Sequence, residues 1–305
     1  MGRTPVVVEC VPNVSEGRDS AIVERLAATI RRAGARLANV HMDPDHHRSV
    51  FSFLGGPDVV RTAALALAAD VLAAVDLRNH RGSHPRIGAL DVLPFVPLDG
   101  ITMDHVVALA RNVGRALAER HDVPVYFYGH AAIREQHRRL PDVRRGGYEA
   151  LAARLATPDG EPDAGPARFD PRRGAILVGA REVLVAYNVW LESTKLDVAR
   201  AIARAVREAS GGLLAVQALA VPLTSRGVVQ VSMNLLDYRV TPIPVAFDTV
   251  AREAERHGIA IQRGELVGLA PRAALAGRTP ASVGLSGFTE DLYLDTHLDA
   301  TLRGQ

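Results

Sequence analysis

Apolar and polar positions along this chain fall into two recurring patterns. Short apolar runs mark strands, and longer stretches with an apolar residue every three or four positions mark helices. Residues 5–11 (Pro-Val-Val-Val-Glu-Cys-Val) read as a first strand, stopped by Pro12-Asn13, with a turn cluster over 13–17. Asp19 or Ser20 can cap a helix over 20–33 that carries Ile22, Leu26, Thr29 and Ile30 on its inner stripe, and Gly34 ends it. Residues 35–42 and 48–55 then read as two strands, and the 43–47 link (Asp-Pro-Asp-His-His) is short enough for a hairpin. Gly55-Gly56-Pro57 launches a helix through 75, a polar stretch follows, and 89–96 is a fourth strand. The order β-α-β-β-α-β predicts a split βαβ, ferredoxin-like unit with both helices on one face of an antiparallel sheet. A helix over 102–121, a strand at 124–128 and helical stretches at 130–139 and 146–155 extend it.

Residues 156–174 break the pattern, because their prolines and glycines allow no regular element. A loop this long inside a compact domain is a linker or a functional loop, and Phe169 between two arginines favours one that also contacts something. Beyond it the order restarts. Strands are expected at 182–189, 213–221, 227–233 and 259–267, with helices at 194–209 and 245–257. The first strand of each half ends in Asn-Val (Asn13-Val14 and Asn188-Val189). The predicted fold class is therefore α+β: two ferredoxin-like βαββαβ subdomains, 1–178 and 179–305, packed side by side with a cleft between them. The last 30 residues read as a loosely attached helix or partial disorder.

Composition narrows the class without naming a function. A formal net charge of +2 leaves no basic field to call for nucleic acid. The one cysteine, Cys10, lies in an apolar run, so it reads as a buried core thiol in an intracellular protein. Val6-Val-Val-Glu9 breaks any signal-peptide pattern, and the apolar stretch 59–75 contains Arg61 and Asp70, which argues against a membrane span. A cytoplasmic protein without membrane or nucleic-acid partners is expected, acting on small molecules as a homodimer.

The chemistry gathers in 78–97, where Arg78-Asn-His80-Arg-Gly82-Ser-His84-Pro85-Arg86-Ile-Gly88 runs into the apolar strand Ala-Leu-Asp91-Val-Leu-Pro-Phe-Val-Pro. A polar loop feeding a core strand can be held rigidly. Pro85 biases His84 away from helix, and an imidazole there can take a proton near neutral pH. Asp43 and Asp45 form turns readily; the functional alternative is that one carboxylate orients His84 and stabilises its protonated form. Arg48 and Arg86 are candidates for gripping a substrate carboxylate. His41, His46, His47, His80 and His84 raise the question of metal, but their spacing matches no zinc signature, so no metal is expected. Neither nucleotide-binding glycine motif occurs.

Several blocks then carry a resemblance. Glu9-Cys-Val-Pro-Asn13-Val-Ser-Glu16-Gly17, Arg48-Ser-Val-Phe, Gly82-Ser-His84-Pro-Arg86-Ile-Gly-Ala-Leu-Asp91 and Val123-Pro-Val-Tyr-Phe-Tyr-Gly129 are similar to the formiminotransferase domain family. So are 165–174, Ala186-Tyr-Asn188, Val231-Ser-Met-Asn234-Leu-Leu-Asp237 and Leu266-Val-Gly-Leu-Ala-Pro271. The resemblance implies transfer of a formimidoyl group between N-formimidoyl-L-glutamate and tetrahydrofolate, a step of histidine breakdown and one-carbon metabolism. Tetrahydrofolate would be a co-substrate, and no metal would be needed. By motif position His84 is the implied catalytic histidine, and Asp43 its acidic neighbour. Arg48, Arg86, Asn13 and Asn188 are the implied substrate-binding residues. Folate would fall to Gly165, Pro166, Ala167, Arg168, Phe169, Asp170, Pro171, Arg172, Arg173 and Gly174. Bifunctional relatives carry a cyclodeaminase domain after this one, and 305 residues do not accommodate it, so only the transferase is expected. Gly147 stands where relatives have Glu, and Arg168 and Arg172 make the folate loop unusually basic. Transfer to another amino acid such as glycine, a folate-binding relative without turnover and a metal-dependent hydrolase are the rival readings.

Overall fold

The first strand is interrupted by its own proline. Val7–Cys10 (β1) and Asn13–Val14 (β2) run between the same two neighbouring strands, with Pro12 at the break. Proline has no N–H to give a ladder, yet the Pro12 carbonyl still accepts the Phe51 N–H at 3.0 Å. The computed structural model describes residues 5–304. It separates into two units: the chain through Arg181 together with the residues from Leu298 on, and Glu182–His297.

In the first unit, Ser20–Arg32 (α1) starts on Asp19, whose carboxylate accepts the Ala21 and Ile22 N–H groups at 2.9 and 3.1 Å. Arg36–Asp43 (β3) and Arg48–Gly55 (β4) form the hairpin, and Pro57–Ala74 (α2) opens on a proline in its first turn, where the missing N–H costs nothing. Leu90–Asp99 (β5), Met103–His121 (α3) and Val125–Gly129 (β6) follow. Leu140–Val143 (α4), Leu151–Leu155 (α5) and Ile176–Ala180 (β7) complete the series up to Arg181. The sheet order is β3, β4, then β1 with β2, then β5, β7 and β6. Pairing is antiparallel as far as β5, whereas β7 is parallel to both β5 and β6.

Alternation decides what each face buries. Cys10, Phe53, Phe95, Val125, Phe127 and Val178 turn to a core shared with α1, α2 and α3. Tyr126, Tyr128, Val92 and Leu177 turn the other way, where Val143, Leu151 and Leu155 cover them. The packing on the helical side is tight. A Cβ at Gly114 of α3 would stand 2.4 Å from the fully buried Phe127 ring. Gly114→Ala gains about 1 kcal/mol of helix propensity but forces overpacking that costs about 1–3 kcal/mol. A lower thermal midpoint is the expected result, and a higher one would mean the ring has room to shift.

The second unit comprises Val185–Leu191 (β8), Leu196–Val206 (α6), Val216–Leu223 (β9), Val228–Leu235 (β10), Ile243–Arg256 (α7) and Ile261–Val267 (β11). Its four strands stand in the order β11-β8-β10-β9, all antiparallel, with α6 and α7 packed on Val185, Tyr187, Val189 and Leu191.

Three expectations need correction. The stretches 130–139 and 146–155 are mostly turns, holding a 3₁₀ turn at Glu135–His137 and the short α5; α4 lies between them. Gly146 and Gly147, both at positive φ, stop a helix from running through. Strand β7 escaped the reading because it follows the proline-rich segment directly and its five residues merged with the next apolar run. That segment itself holds a 3₁₀ turn at Pro158–Gly160 and bridges to the sheet through Ala164 and Gly174. Finally, the C-terminal stretch is not loose. Val283, Leu285 and Tyr293 are buried against the second core, the Tyr187 hydroxyl donates to the Val283 carbonyl, and Leu294–Arg303 is helical (α8). Among the described residues, no helix is long and apolar enough to cross a membrane.

Candidate active site

The polar residues singled out in the first half meet where β2, β4 and β5 begin. Asn13 opens β2 and Arg48 opens β4, so the pairing of these strands sets the two side chains together. The Asn13 Oδ1 accepts from Arg48 Nε at 3.0 Å and from Nη2 at 2.5 Å. Arg48 Nη1 reaches Asp91 Oδ2 on β5 at 2.9 Å and lies 2.9 Å from His84 Nδ1. Asp91 is fully buried and carries three bonds, since Oδ1 accepts the Ile87 N–H at 2.8 Å and Oδ2 also accepts Arg144 Nη2 at 2.8 Å. A buried carboxylate is tolerated only when its lone pairs are filled in this way.

The loop that bears His84 is fastened on both sides. The Ser83 N–H and hydroxyl each donate to the Asp45 carbonyl at 3.0 Å, and His80 Nε2 donates to the His47 carbonyl at 2.7 Å. Arg18 binds the Pro44 carbonyl through Nε and the Arg81 carbonyl through Nη2, tying the hairpin turn to the loop. A Cβ at Gly82 would stand 2.2 Å from the His46 carbonyl oxygen, so only glycine lets the two backbones approach this closely. On the far side, Ser15 Oγ donates to the Gly88 carbonyl at 2.7 Å and the Ala89 N–H to the Arg173 carbonyl at 2.9 Å.

His84 is half-buried. Its Nδ1 lies 2.7 Å from the Pro85 carbonyl and 2.9 Å from Arg48 Nη1. The tautomer with Nδ1–H donates to Pro85 and leaves the Nε2 lone pair free to act as a base, whereas the one whose Nδ1 accepts from Arg48 carries its proton on Nε2. Burial pushes the imidazole well below its ordinary range, and the charges of Arg48, Arg144 and His46 push it further, so it is a neutral base at pH 7. Burial also lowers Arg48 to about 10, against the pull of Asp91. Behind the loop His47 stacks on His80 with ring centres 4.3 Å apart, and burial lowers His80 to about 4. Burial works against Glu16, but hydrogen bonds from His47 and from the Asp19 and Arg18 N–H groups bring it down to about 2.

The remaining candidates are placed as follows. Asp43 Oδ1 accepts the His46 N–H at 2.7 Å inside the hairpin turn, and Asp91 is a carboxylate bonded to Arg48 of the Arg48–His84 pair. Arg86 pairs with Glu149 at 2.8 Å, lies over the Tyr148 ring at 4.9 Å and leaves its buried Nε without a hydrogen bond. A cavity of about 490 Å³ opens there, lined by Arg78, His80, Arg81, Arg86, Tyr148 and Glu149 among others. Asn188, in the second unit, donates to Glu265 at 3.0 Å. Within 165–174, Phe169 rests against Tyr148 at 5.5 Å between ring centres, and the Tyr148 hydroxyl donates to the Pro171 carbonyl at 2.6 Å. Arg168 pairs with Asp122, Arg172 with Asp76, and Arg173 donates to the His121 carbonyl. The basic residues of this loop thus anchor it to the first unit.

Asp91, Arg144, Tyr148 and Glu149 were given no role from the sequence. Asp91 offered a signal, a carboxylate inside an otherwise apolar strand. Arg144 offered none, because nothing in its spacing points to the strand it meets.

Comparison with known proteins places this arrangement in a family. The model of the formiminotransferase domain, N-terminal subdomain, matches residues 7–181, and that of the formiminotransferase domain matches residues 186–279. The glutamate formimidoyltransferase of Thermoplasma acidophilum is 39% identical over 296 residues, covering 96% of this chain and 97% of that protein. The one from Streptococcus pyogenes is 36% identical, covering 88% and 90%. Rat formimidoyltransferase-cyclodeaminase is 40% identical over 276 residues, and there the match spans only 51% of the relative. The chain belongs to the formiminotransferase family.

Proposed function

We infer that this chain transfers a formimidoyl group between N-formimidoyl-L-glutamate and tetrahydrofolate. The observation that carries the reading is the near full-length likeness to glutamate formimidoyltransferases at 36–39% identity. The fixed, neutral His84 with Nε2 open supports it chemically. Both subdomains are read as ferredoxin-like units, on the strand order each sheet displays.

In the transfer one amine attacks the formimidoyl carbon and another leaves, through a tetrahedral intermediate. The incoming nitrogen must lose a proton and the departing one must gain it, so a single group that acts first as base and then as acid suffices. We assign that shuttle to His84 Nε2. Arg48, bound to Asn13 and Asp91 and 2.9 Å from His84 Nδ1, serves to hold the imidazole. Arg86, whose guanidinium lines the cavity, is the better grip for a substrate carboxylate. The 165–174 loop is assigned to folate, with Phe169 and Tyr148 as the aromatic surface beside it.

The test is a formimidoyl-transfer assay with tetrahydrofolate, comparing N-formimidoyl-L-glutamate with N-formimidoylglycine. A higher kcat/KM with the glutamate donor is expected. A preference for the glycine donor, or tetrahydrofolate binding without turnover on either, would overturn the reading.

A further inference from the structure

Arg144 reaches the site from a segment with no regular structure to hold it. It follows α4, and the chain then turns through Gly146 and Gly147 at φ 82° and 63°, which brings the Tyr148 N–H onto the Arg86 carbonyl at 2.8 Å. Arg154 binds the Val143 carbonyl just before it. These contacts fix Arg144 so that its Nη2 meets Asp91 Oδ2, the same oxygen that accepts from Arg48 Nη1. Its Nε is buried without a hydrogen bond, and the contact made by its guanidinium is the one with Asp91.

We propose that Arg144 is a positioning residue of the transferase site: by sharing Asp91 Oδ2 with Arg48, it fixes the Arg48 guanidinium beside the Nδ1 edge of His84 and so holds the ring with Nε2 turned to the reacting amines. Two guanidiniums held on one carboxylate form a cluster with net positive charge beside the imidazole. The groups that face His84 are Arg48 from β4, His46 from the hairpin turn and Arg144 from the segment after α4, with Asp91 of β5 behind the two arginines. Arg144 therefore does two things at once. It fixes geometry through Asp91, and it helps hold the imidazole in its unprotonated form.

This proposal rests on the transferase reading, and the experiment separates the two. Arg144→Gln keeps an amide donor for Asp91 but removes the charge; Arg144→Lys keeps the charge but not the fork. The His84 imidazole is titrated by ¹H–¹⁵N NMR in the wild type and both variants, its signals identified by their loss in His84→Gln, alongside kcat/KM against pH. Removing the cation with Arg144→Gln is expected to raise the His84 titration midpoint by about one pH unit, by the usual effect of a nearby charge. The acid limb of kcat/KM should rise with it. Arg144→Lys should keep the wild-type midpoint. The KM for tetrahydrofolate should stay within about twofold of wild type in both, as expected of a residue that acts through another. An unmoved midpoint in Arg144→Gln, or two variants that fail to fold, would reduce Arg144 to a packing role and overturn the proposal. A wild type that binds tetrahydrofolate without turnover would overturn the transferase reading instead, while the NMR titration would still report on Arg144.

Discussion

His84→Ala is expected to lower kcat by about 10²–10⁴-fold, the range over which a positioned acid–base group acts, while the fold and substrate binding persist. The fold should persist because His84 is half-buried on a loop whose fastenings run through Ser83, His80 and Arg18, none of which uses its imidazole. Arg48 also stays anchored without it, since Asn13 and Asp91 take its other donors. Binding should persist because the residues proposed to grip the substrate carboxylate and the folate lie elsewhere. Steady-state kinetics together with a thermal melt would check this. A variant with near-native turnover would remove His84 from the mechanism, and a variant that melts far below the wild type would mean the ring serves the fold. The wild type should also keep its activity to an unusually low pH for a histidine base. A base whose pKa is depressed is disabled only when the pH falls through that lower value.

How much of this was legible beforehand depended on whether the signal was local. The apolar periodicities of α1, α2 and α3 are properties of short stretches, and the helices stand within a few residues of where the spacing put them. The hairpin over 43–47 was equally local, because a five-residue link between two apolar runs has few other ways to close. Strand β7 was lost for the opposite reason. Its partners, β5 and β6, are distant in sequence, and parallel pairing leaves no turn signature beside the strand. The residues at 130–155 alternate like helices in composition, but two glycines at positive φ and the pull of the Arg86 carbonyl override that preference.

The candidate site divides along the same line. His84 carried its signal in its neighbours, with glycines on either side, a proline after it and a buried strand beyond. Arg48 and Asn13 could be suspected as polar residues at strand ends, yet that they bind each other follows from strand pairing. Asp43 was the carboxylate expected to orient His84. Asp43 accepts the His46 N–H in the hairpin turn, and Asp91, across the sheet on β5, bonds Arg48 where that side chain lies against His84. What sequence hides here is register: which residue of one strand lies opposite which of another.

That register makes Asp91 the residue whose loss should hurt stability most. Its carboxylate is fully buried and accepts from Ile87, Arg48 and Arg144, two of them cations whose side chains are only 12% and 14% exposed. In Asp91→Ala the two guanidiniums remain buried beside one another with no counter-charge, and the Ile87 N–H loses its acceptor. Removing one partner of a buried ion pair costs about 3–5 kcal/mol, an appreciable share of the roughly 5–15 kcal/mol that holds a domain together. Asp91→Asn keeps an oxygen for Ile87 but not the charge, so it should fall between the wild type and the alanine variant. Urea denaturation followed by circular dichroism would give the ordering directly. The same substitutions should depress kcat in whatever fraction folds, because an Arg48 freed from Asp91 no longer holds His84. An Asp91→Ala protein as stable as the wild type would mean that the two arginines find other partners, and the charge cluster would then not be what builds the site.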